Sequence, residues 1–247
     1  DQQKTAFFQN MSHELRTPLT LILNPLEEES KELPDNKNIE VAAKNSRRLL
    51  RLVNQLLDFQ KLEAGKQELK LAPVNITRFA YICGDYFASA CSSKEVAFSA
   101  SLNGEMMGQE TNPVHILGEV DALEKVTFNF LSNALKYTPK GGQIELGLTT
   151  TPDKARFYIR DTGPGISEEG KQKLFQVFSQ VDETTTRDYE GTGLGLALVK
   201  SLTEEMQGEV GIDSKVGKGS TFWAEFPLCE APAEAEDLDF QAKDWLL

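Results

Sequence analysis

The sequence predicts a long α-helical hairpin followed by an α/β sandwich domain. Three observations support this prediction. In residues 1–66, apolar side chains recur every three or four positions, which is the spacing of amphipathic helices. From residue 67 onward, short alternating segments typical of strands are mixed with helical stretches. Glycine-rich loops join the later segments, and we expect exposed backbone amides there.

Composition narrows the possible classes of protein. The chain has 247 residues, of which 40% are hydrophobic and 26% charged, so a folded core is expected and wholesale disorder is excluded. A net charge of -12 argues against nonspecific electrostatic binding to nucleic acid or to anionic lipid. Three cysteines without Cys-x-x-Cys spacing indicate a reducing compartment.

The first block is expected to form two helices and a turn. In the first helix the apolar stripe includes Met11, Leu15 and Ile22, and a wide stripe follows in the second. Pro34 breaks the helix between them, and Asp35 and Asn36 are candidate caps for the next one. A lone hairpin can bury its stripes against only one neighbour, so pairing with a second copy into a four-helix bundle is the economical solution.

The second block is predicted to mix strands and helices. The predicted strands are "QELKLA" (67–72) and "ARFYIRD" (155–161), and the predicted helices are 76–91, 121–137 and 194–207. The tail from residue 230 is rich in Ala, Glu and Pro, so we expect a linker to a further part of the protein. The chain begins without an initiator Met or a signal peptide and has no membrane-spanning apolar run, so a piece of a larger protein is expected.

One histidine stands out in "SHELRTPLT" on the first helix. His13 lies two positions beyond Met11, about 200° around the helix, so its imidazole is expected to face solvent. A neutral imidazole can act as a nucleophile, and Glu14 could accept a hydrogen bond from Nδ1–H and so leave Nε2 bare. An ordinary surface histidine is the competing interpretation.

A later helix carries two amides and a cation on one face. Asn129 and Asn133 are four residues apart, and Lys136 follows on the next turn. Amide oxygens suit Mg²⁺ that arrives with its own phosphates and waters, and Lys136 could neutralise a phosphate oxygen. The competing interpretation is a helix with two solvated asparagines.

A carboxylate ends the strand before "DTGPGI". Asp161 meets a turn in which Gly163 and Gly165 permit close backbone approach. A carboxylate accepts hydrogen bonds only, so it favours the amino group of adenine over the carbonyl oxygen of guanine. An Asp-Thr-Gly-Pro turn without chemical meaning is the alternative.

The last glycine-rich motif, "GTGLGLALVK", opens a helix after a polar run that we interpret as a mobile lid. Helix N-terminal amides form a phosphate cradle, and Arg187 in the lid could reach a terminal phosphate. The spacing fits neither G-x-G-x-x-G nor a P-loop. The nearest P-loop candidate, "GIDSKVGKGS", is better interpreted as a hairpin turn.

These motifs resemble a known family. "SHELRTPLT" resembles the phosphoacceptor box of sensor histidine kinases. Four features resemble the ATP-binding domain of the same kinases, which is related in fold to the Hsp90, MutL and gyrase ATPases. They are the helix with Asn129 and Asn133, "DTGPGI", the pair Phe175 and Phe178 before the lid, and "GTGLGLALVK". The resemblance implies a dimerisation hairpin with a phosphoaccepting histidine, followed by an ATP-binding domain.

The resemblance also implies a role for individual residues. His13 would be phosphorylated, Glu14 would be its acid–base partner, and Thr17 would help position water in a phosphatase reaction. Asn129 and Asn133 would bind Mg²⁺. The remaining ATP-binding positions would be Lys136, Tyr137, Asp161, Gly163, Gly165, Phe178, Arg187, Gly191, Thr192, Gly193, Leu194, Gly195 and Thr221.

The implied organisation is a phosphoacceptor domain at 1–66, an ATP-binding domain at 67–229 and an acidic tail at 230–247. The implied partners are a second copy and a response-regulator receiver domain, in the same polypeptide or a separate one. The fragment would be cytoplasmic, within a sensor anchored in the inner membrane. A conformational ATPase of the Hsp90 kind and a nonenzymatic dimeric scaffold are the alternatives.

Overall fold

The computed structural model describes residues 2–33, 36–63, 69–176 and 194–231. In the first two helices, it describes side chains from residue 15 onward, except at positions 44, 48, 51 and 61–63. The chain divides into two compact units, Asp1–Glu68 and Leu69–Leu247, and each is described by itself. The predicted domain boundaries stay predictions.

The first unit is a hairpin of two long helices, α1 (Gln2–Glu32) and α2 (Lys37–Glu63). Asn36 caps α2, because its Oδ1 accepts hydrogen bonds from the N–H groups of Asn38 and Ile39 at 3.2 and 3.4 Å. The two helices bury a cluster formed by Leu19, Val53 and Leu57, with Leu50 packed against it. Where the helices meet, Arg16 Nε also donates to Asn54 Oδ1 at 2.8 Å.

The apolar stripe of the hairpin is only partly covered within one copy. Leu15 and Ile22, which the sequence places on the stripe, are 48% and 51% exposed. Leu21, Val41 and Leu49 are also exposed. The buried seam passes instead through Leu19 and Leu23 on the same helix. The hairpin therefore presents a second apolar face, since 3.6 residues per turn gives these positions different directions.

Over its described residues, 69–176 and 194–231, the second unit contains two sheets and four helices. In chain order its elements are β1 (Ala72–Asn75), α3 (Ile76–Ser93), β2 (Ala97–Leu102), β3 (Glu105–Met106), β4 (His115–Gly118), α4 (Val120–Tyr137), β5 (Gln143–Thr150), β6 (Lys154–Asp161), α5 (Glu168–Lys173), α6 (Gly195–Glu205), β7 (Glu209–Lys215) and β8 (Gly219–Pro227). The larger sheet has the order β3-β2-β5-β6-β8-β7, and β1 pairs with β4 in a smaller one.

The core lies between one face of the six-stranded sheet and the helices α3, α4 and α6. Every second residue of β6 and β8 faces these helices, including the buried Phe157, Phe222 and Phe226. Phe130 on α4 stacks against Phe222, with ring centroids 5.6 Å apart. The predicted fold class, a helical hairpin followed by an α/β sandwich, is confirmed.

The opposite face of the sheet is covered by its own side chains. Trp223 lies over Gly211 and Tyr158 lies over Gly147, where a Cβ atom would overlap the aromatic rings. The Arg156 guanidinium stacks on Trp223 at 4.1 Å from its ring centroid. The strand residues that alternate with the core residues therefore pack against one another on the sheet face that points away from the helices.

One strand differs from the sequence prediction. The first strand begins at Ala72, so the strand predicted at "QELKLA" (67–72) is wrong at residues 69–71 and right at Ala72. The three predicted helices of this unit correspond to α3, α4 and α6. Among the described residues, no helix is both long and apolar enough to cross a membrane.

Candidate functional site

Asp161 is a buried carboxylate at the end of β6. Its side chain is 5% exposed and accepts a 2.8 Å hydrogen bond from Gly163 N–H. The backbone N–H of Ser220, which pairs with Asp161 across β8, also bonds to the carboxylate. Burial raises the pKa of Asp161, and the two N–H groups oppose that rise. The site therefore offers a strong acceptor with little water around it.

The loop after Asp161 runs against the turn between β7 and β8. Gly165 has φ +72°, and a Cβ atom there would overlap the carbonyl oxygen of Lys215. Gly217 N–H donates to the carbonyl oxygen of Pro164 at 2.7 Å. Only glycine fits at position 165 without strain, because its φ is positive and the Lys215 backbone is in contact. The predicted close approach at Gly165 is thus present, and its partner is this turn.

The same loop contacts the C-terminal end of α4. A Cβ atom at Gly163 would lie 3.1 Å from the Tyr137 carbonyl oxygen and 2.8 Å from Asp161 Oδ1. Tyr137 is 45% exposed, and Lys136 Nζ lies 4.9 Å from the centroid of its ring. The loop that holds the Asp161 carboxylate therefore packs against the backbone of Tyr137, whose ring Lys136 Nζ approaches.

The first turn of α6 packs on an amide of α4. Asn129 and Asn133 are partly buried on α4, and a Cβ atom at Gly195 would lie 2.7 Å from Asn129 Oδ1. Helix α6 begins at Gly195, with Leu194 as its N-cap residue. Its first backbone amides therefore lie close to Asn129, and an anion placed there would meet their partial positive charge.

The donor set at this place fits a hard cation that brings further oxygen ligands. Asn129 and Asn133 can offer neutral amide oxygens from one helix face. The part of the chain that the structure describes contains no group of three or more His, Cys, Asp or Glu side chains suited to hold a metal ion. The two amides fit Mg²⁺ carried by a phosphate chain better than a cation held by protein ligands alone.

Thr221 does not belong to this cluster. It pairs with Arg160 and Asp213 on the outer face of the sheet, whereas Asp161 faces the helices. The adjacent Ser220, which is 7% exposed, shares the inner face with Asp161. Side chains alternate along a strand, so a shift of one residue reverses the face. Thr221 therefore lies on the opposite face of β8 from Asp161, and its role at the adenine base stays a prediction.

Sequence reasoning did not identify Ser220 as the residue that shares a face with Asp161, although a signal for it existed. Phe222 is a large apolar residue on an alternating strand, so it was bound to face the core. The residue two positions before it must share that face, and this residue is Ser220.

Several predicted site residues lie outside the described part of the structure. They are Phe178, Arg187, Gly191, Thr192 and Gly193. The backbone at His13 and Glu14 is helical within α1, but their side chains lie outside the described part as well. Thr17 is exposed on the same helix. The roles assigned to all these residues stay predictions.

Two family models match this chain. The His Kinase A (phospho-acceptor) domain matches residues 3–65, and the histidine kinase-, DNA gyrase B-, and HSP90-like ATPase matches residues 118–230. The first match contains His13 and α1–α2. The second contains Asn129, Asp161 and Gly195, so each group of motifs falls within the expected family.

Curated relatives are histidine kinases. Hybrid signal transduction histidine kinase D of Dictyostelium discoideum is 38% identical over 237 residues, which cover 92% of this chain and 15% of that protein. Sensor histidine kinase GacS of Pseudomonas protegens is 35% identical over 242 residues, which cover 95% of this chain and 26% of that protein. The chain thus spans well under a third of the length of either relative.

Solved structures agree with the sequence matches. Full-length ShkA in complex with AMPPNP has a TM-score of 0.75 and 29% identity, and the match covers 92% of this chain and 47% of that one. The likeness to the Acinetobacter baumannii histidine kinase AdeS, at 20% identity and a TM-score of 0.60, shows the fold alone. The resemblance predicted from the motifs is confirmed, and the chain belongs to the histidine kinases, with a phosphoacceptor module followed by an ATPase module.

Proposed function

We propose that this chain is the ATP-dependent autokinase core of a two-component signalling protein. Its first reaction transfers the γ-phosphoryl group of ATP to Nε2 of His13, and a second reaction passes that group to an aspartate of a receiver domain. The observation that carries the proposal is the buried Asp161 acceptor, whose following loop packs against the Tyr137 backbone, in a chain whose α1 carries the His-Glu pair.

Asp161 would recognise the adenine base. Its carboxylate already accepts a hydrogen bond from Gly163 N–H and keeps further acceptor capacity for the 6-amino group of adenine. Guanine would place a carbonyl oxygen there, opposite a buried carboxylate with no proton to share. The site therefore favours ATP over GTP. The ShkA complex with AMPPNP supports adenine nucleotide binding by this fold.

Mg²⁺ would be held by Asn129 and Asn133 together with the phosphate chain. When bound, it would neutralise phosphate charge during transfer. Helix α6 begins beside Asn129, so its first amides are suited to hold phosphate oxygens, and Lys136 supplies a further positive charge. Arg187 and Phe178, from the predicted lid, are assigned to the same nucleotide. The predicted glycines 191 and 193 would allow the lid to hinge.

In the transfer step, the main role of the protein is to position His13 and the γ-phosphate of ATP. The lone pair of His13 Nε2 attacks the γ-phosphorus, the bond from that phosphorus to the β–γ bridging oxygen breaks, and ADP leaves. Glu14 would accept the Nδ1–H hydrogen bond, keep the tautomer with a bare Nε2 and stabilise the positive charge on the ring. The product is a phosphoramidate. It is reactive enough to pass the phosphoryl group onward to a carboxylate.

Thr17, which is exposed on α1 one turn beyond His13, would position water if the protein also dephosphorylates its receiver. The similarity to a hybrid kinase supports a receiver in the same polypeptide. A cytoplasmic position within a membrane-anchored sensor rests on the resemblance alone.

The chemical stability of the bond between the phosphoryl group and the protein tests the proposal directly. The chain is incubated with Mg²⁺ and ATP labelled at the γ-phosphate, and in parallel with ATP labelled at the α-phosphate. We expect acid-labile, alkali-stable protein label from the γ-labelled nucleotide only, because a phosphoramidate hydrolyses in acid. Nucleotide hydrolysis with no label on the protein would instead identify a conformational ATPase.

The exposed apolar face of the hairpin supports a homodimer. Leu15, Ile22 and Leu49 are about half exposed in one copy, and a second hairpin would bury them in a four-helix bundle. Introducing a charge into that interface costs several kcal/mol per copy. We expect Ile22→Glu to convert the dimer into a monomer with its helical content retained, as measured by light scattering and circular dichroism.

A matched control for the dimer is Glu29→Gln, which changes the charge at an exposed position further along α1. It should leave the mass of the assembly unchanged. A wild-type chain that is monomeric at micromolar concentration would contradict the dimer without affecting the nucleotide site.

Gly195 is expected to matter because of its contact with Asn129. In Gly195→Ala the new Cβ would lie 2.7 Å from Asn129 Oδ1 and would displace that amide, while the alanine itself suits a helix. We expect kcat/KM for Mg·ATP to fall about 10- to 100-fold with an unchanged melting temperature. In the control, Gly108→Ala, the added Cβ meets nothing within 4 Å. Equal rates for the two variants would exclude this role.

A further inference from the structure

One hydroxyl group ties together the loop after Asp161 and the strands β7 and β8. Ser214 Oγ, on β7, accepts a 2.8 Å hydrogen bond from Ile166 N–H at the end of that loop. The same oxygen donates to the carbonyl oxygen of Gly219 at 3.0 Å and lies 2.8 Å from Ser220 Oγ. Three separate segments thus meet at one side chain.

The protons at this junction can be assigned by counting. A serine hydroxyl has one proton to donate and two lone pairs with which to accept. Ser214 gives its proton to Gly219, so the proton between the two hydroxyls comes from Ser220. Ser214 is then fully satisfied, with one bond donated and two accepted. Ser220 Oγ keeps only lone pairs to offer, on the face of β8 that it shares with Asp161.

Other hydrogen bonds at this junction also hold the loop, independently of the Ser214 hydroxyl. Lys171 Nζ donates to the Ser214 carbonyl oxygen at 3.1 Å, and Gly217 N–H donates to that of Pro164 at 2.7 Å. These bonds do not involve the Ser214 hydroxyl. Removing that hydroxyl should therefore shift the loop rather than unfold the domain.

We propose that Ser214 is a positioning residue for recognition of the adenine base. Its hydroxyl fixes the course of the loop from Asp161 to Ile166, and with it the place of Gly163 N–H and of the carboxylate that this group holds. Ser214 acts through Asp161 and not by contact with the nucleotide. The inference rests on the proposed ATP site. It adds a residue that determines how tightly Asp161 binds the 6-amino group of adenine.

Two nucleotides distinguish positioning from a general structural role. Calorimetry with Mg²⁺ compares ATP with purine riboside triphosphate, which lacks the 6-amino group, on the full chain carrying Ser214→Ala. ATP binding should weaken about three- to tenfold, and binding of the analogue should stay within about twofold, because the analogue has no amino group for Asp161 to meet. Ser214→Thr, which keeps a hydroxyl, should restore ATP affinity.

The control is Ser99→Ala, an equal change at an exposed position on β2, which should alter neither affinity. Circular dichroism confirms that each variant is folded. Equal losses for both nucleotides, or no loss for either, would overturn the role of Ser214 while leaving the ATP site intact. Failure of the wild-type chain to bind ATP would overturn the proposed function and this inference together.

Discussion

His13→Gln is expected to abolish phosphorylation of the protein. Glutamine keeps a polar side chain at this position but has no nitrogen lone pair with the nucleophilicity of imidazole. With γ-labelled ATP and Mg²⁺, acid-labile label should fall at least about 10³-fold below wild type, which is the scale expected when the nucleophile of a reaction is removed. Nucleotide affinity should be unchanged, because His13 lies in the other compact unit from Asp161.

The chain supplies its own control for this experiment. It contains only two histidines, and the second, His115, lies on β4 in the smaller sheet. His115→Gln should retain full label and full nucleotide affinity. Persistent acid-labile label on His13→Gln, or its loss on His115→Gln, would reject the assignment of the phosphoaccepting residue. Mixed dimers of His13→Gln with a kinase-deficient chain would further show whether transfer occurs within or between protomers.

Local patterns in the sequence predicted the elements and the glycine-dependent contacts well. The 3.6-residue period gave the hairpin and the three long helices of the second unit, since an amphipathic stripe depends only on nearby residues. "DTGPGI" likewise indicated a close backbone approach. It could not indicate that the approaching backbone is Lys215, some fifty residues later, because pairing across a sheet is set by packing of the whole domain.

The face of the sheet on which a residue lies depends on strand register, which the motifs alone did not predict. Thr221 and Ser220 are neighbours in the chain, but they lie on opposite faces of β8, and a motif match alone does not decide between them. Ser214 carries no local signal at all. Its importance arises only once β7, β8 and the loop after Asp161 are brought together. On α1, Leu15 and Ile22 were expected on the apolar stripe and are exposed within one copy, which is consistent with a stripe shared between two partners.

Asp161→Asn is expected to weaken ATP binding while making the protein more stable. Asparagine has nearly the same shape and can still accept the hydrogen bond from Gly163 N–H, but it loses the negative charge. A hydrogen bond to a charged group contributes about 1.5–3 kcal/mol, so ATP affinity should fall about 10- to 150-fold. Asp213→Asn, at an exposed position on β7, is the matched control and should bind ATP normally.

The gain in stability should depend on pH, because burial raises the pKa of Asp161 above its ordinary value of 3.8. A carboxyl with a raised pKa in the folded state favours folding when it is protonated, and this contribution is lost as pH rises through the folded-state pKa. The neutral amide does not ionise. The melting temperature of Asp161→Asn should therefore match wild type below the ordinary pKa of 3.8 and exceed it increasingly at higher pH, up to a plateau above the folded-state pKa. A constant difference across that range would mean that Asp161 ionises equally easily in the folded and unfolded chain, and the carboxylate would then not be the desolvated acceptor that selects adenine.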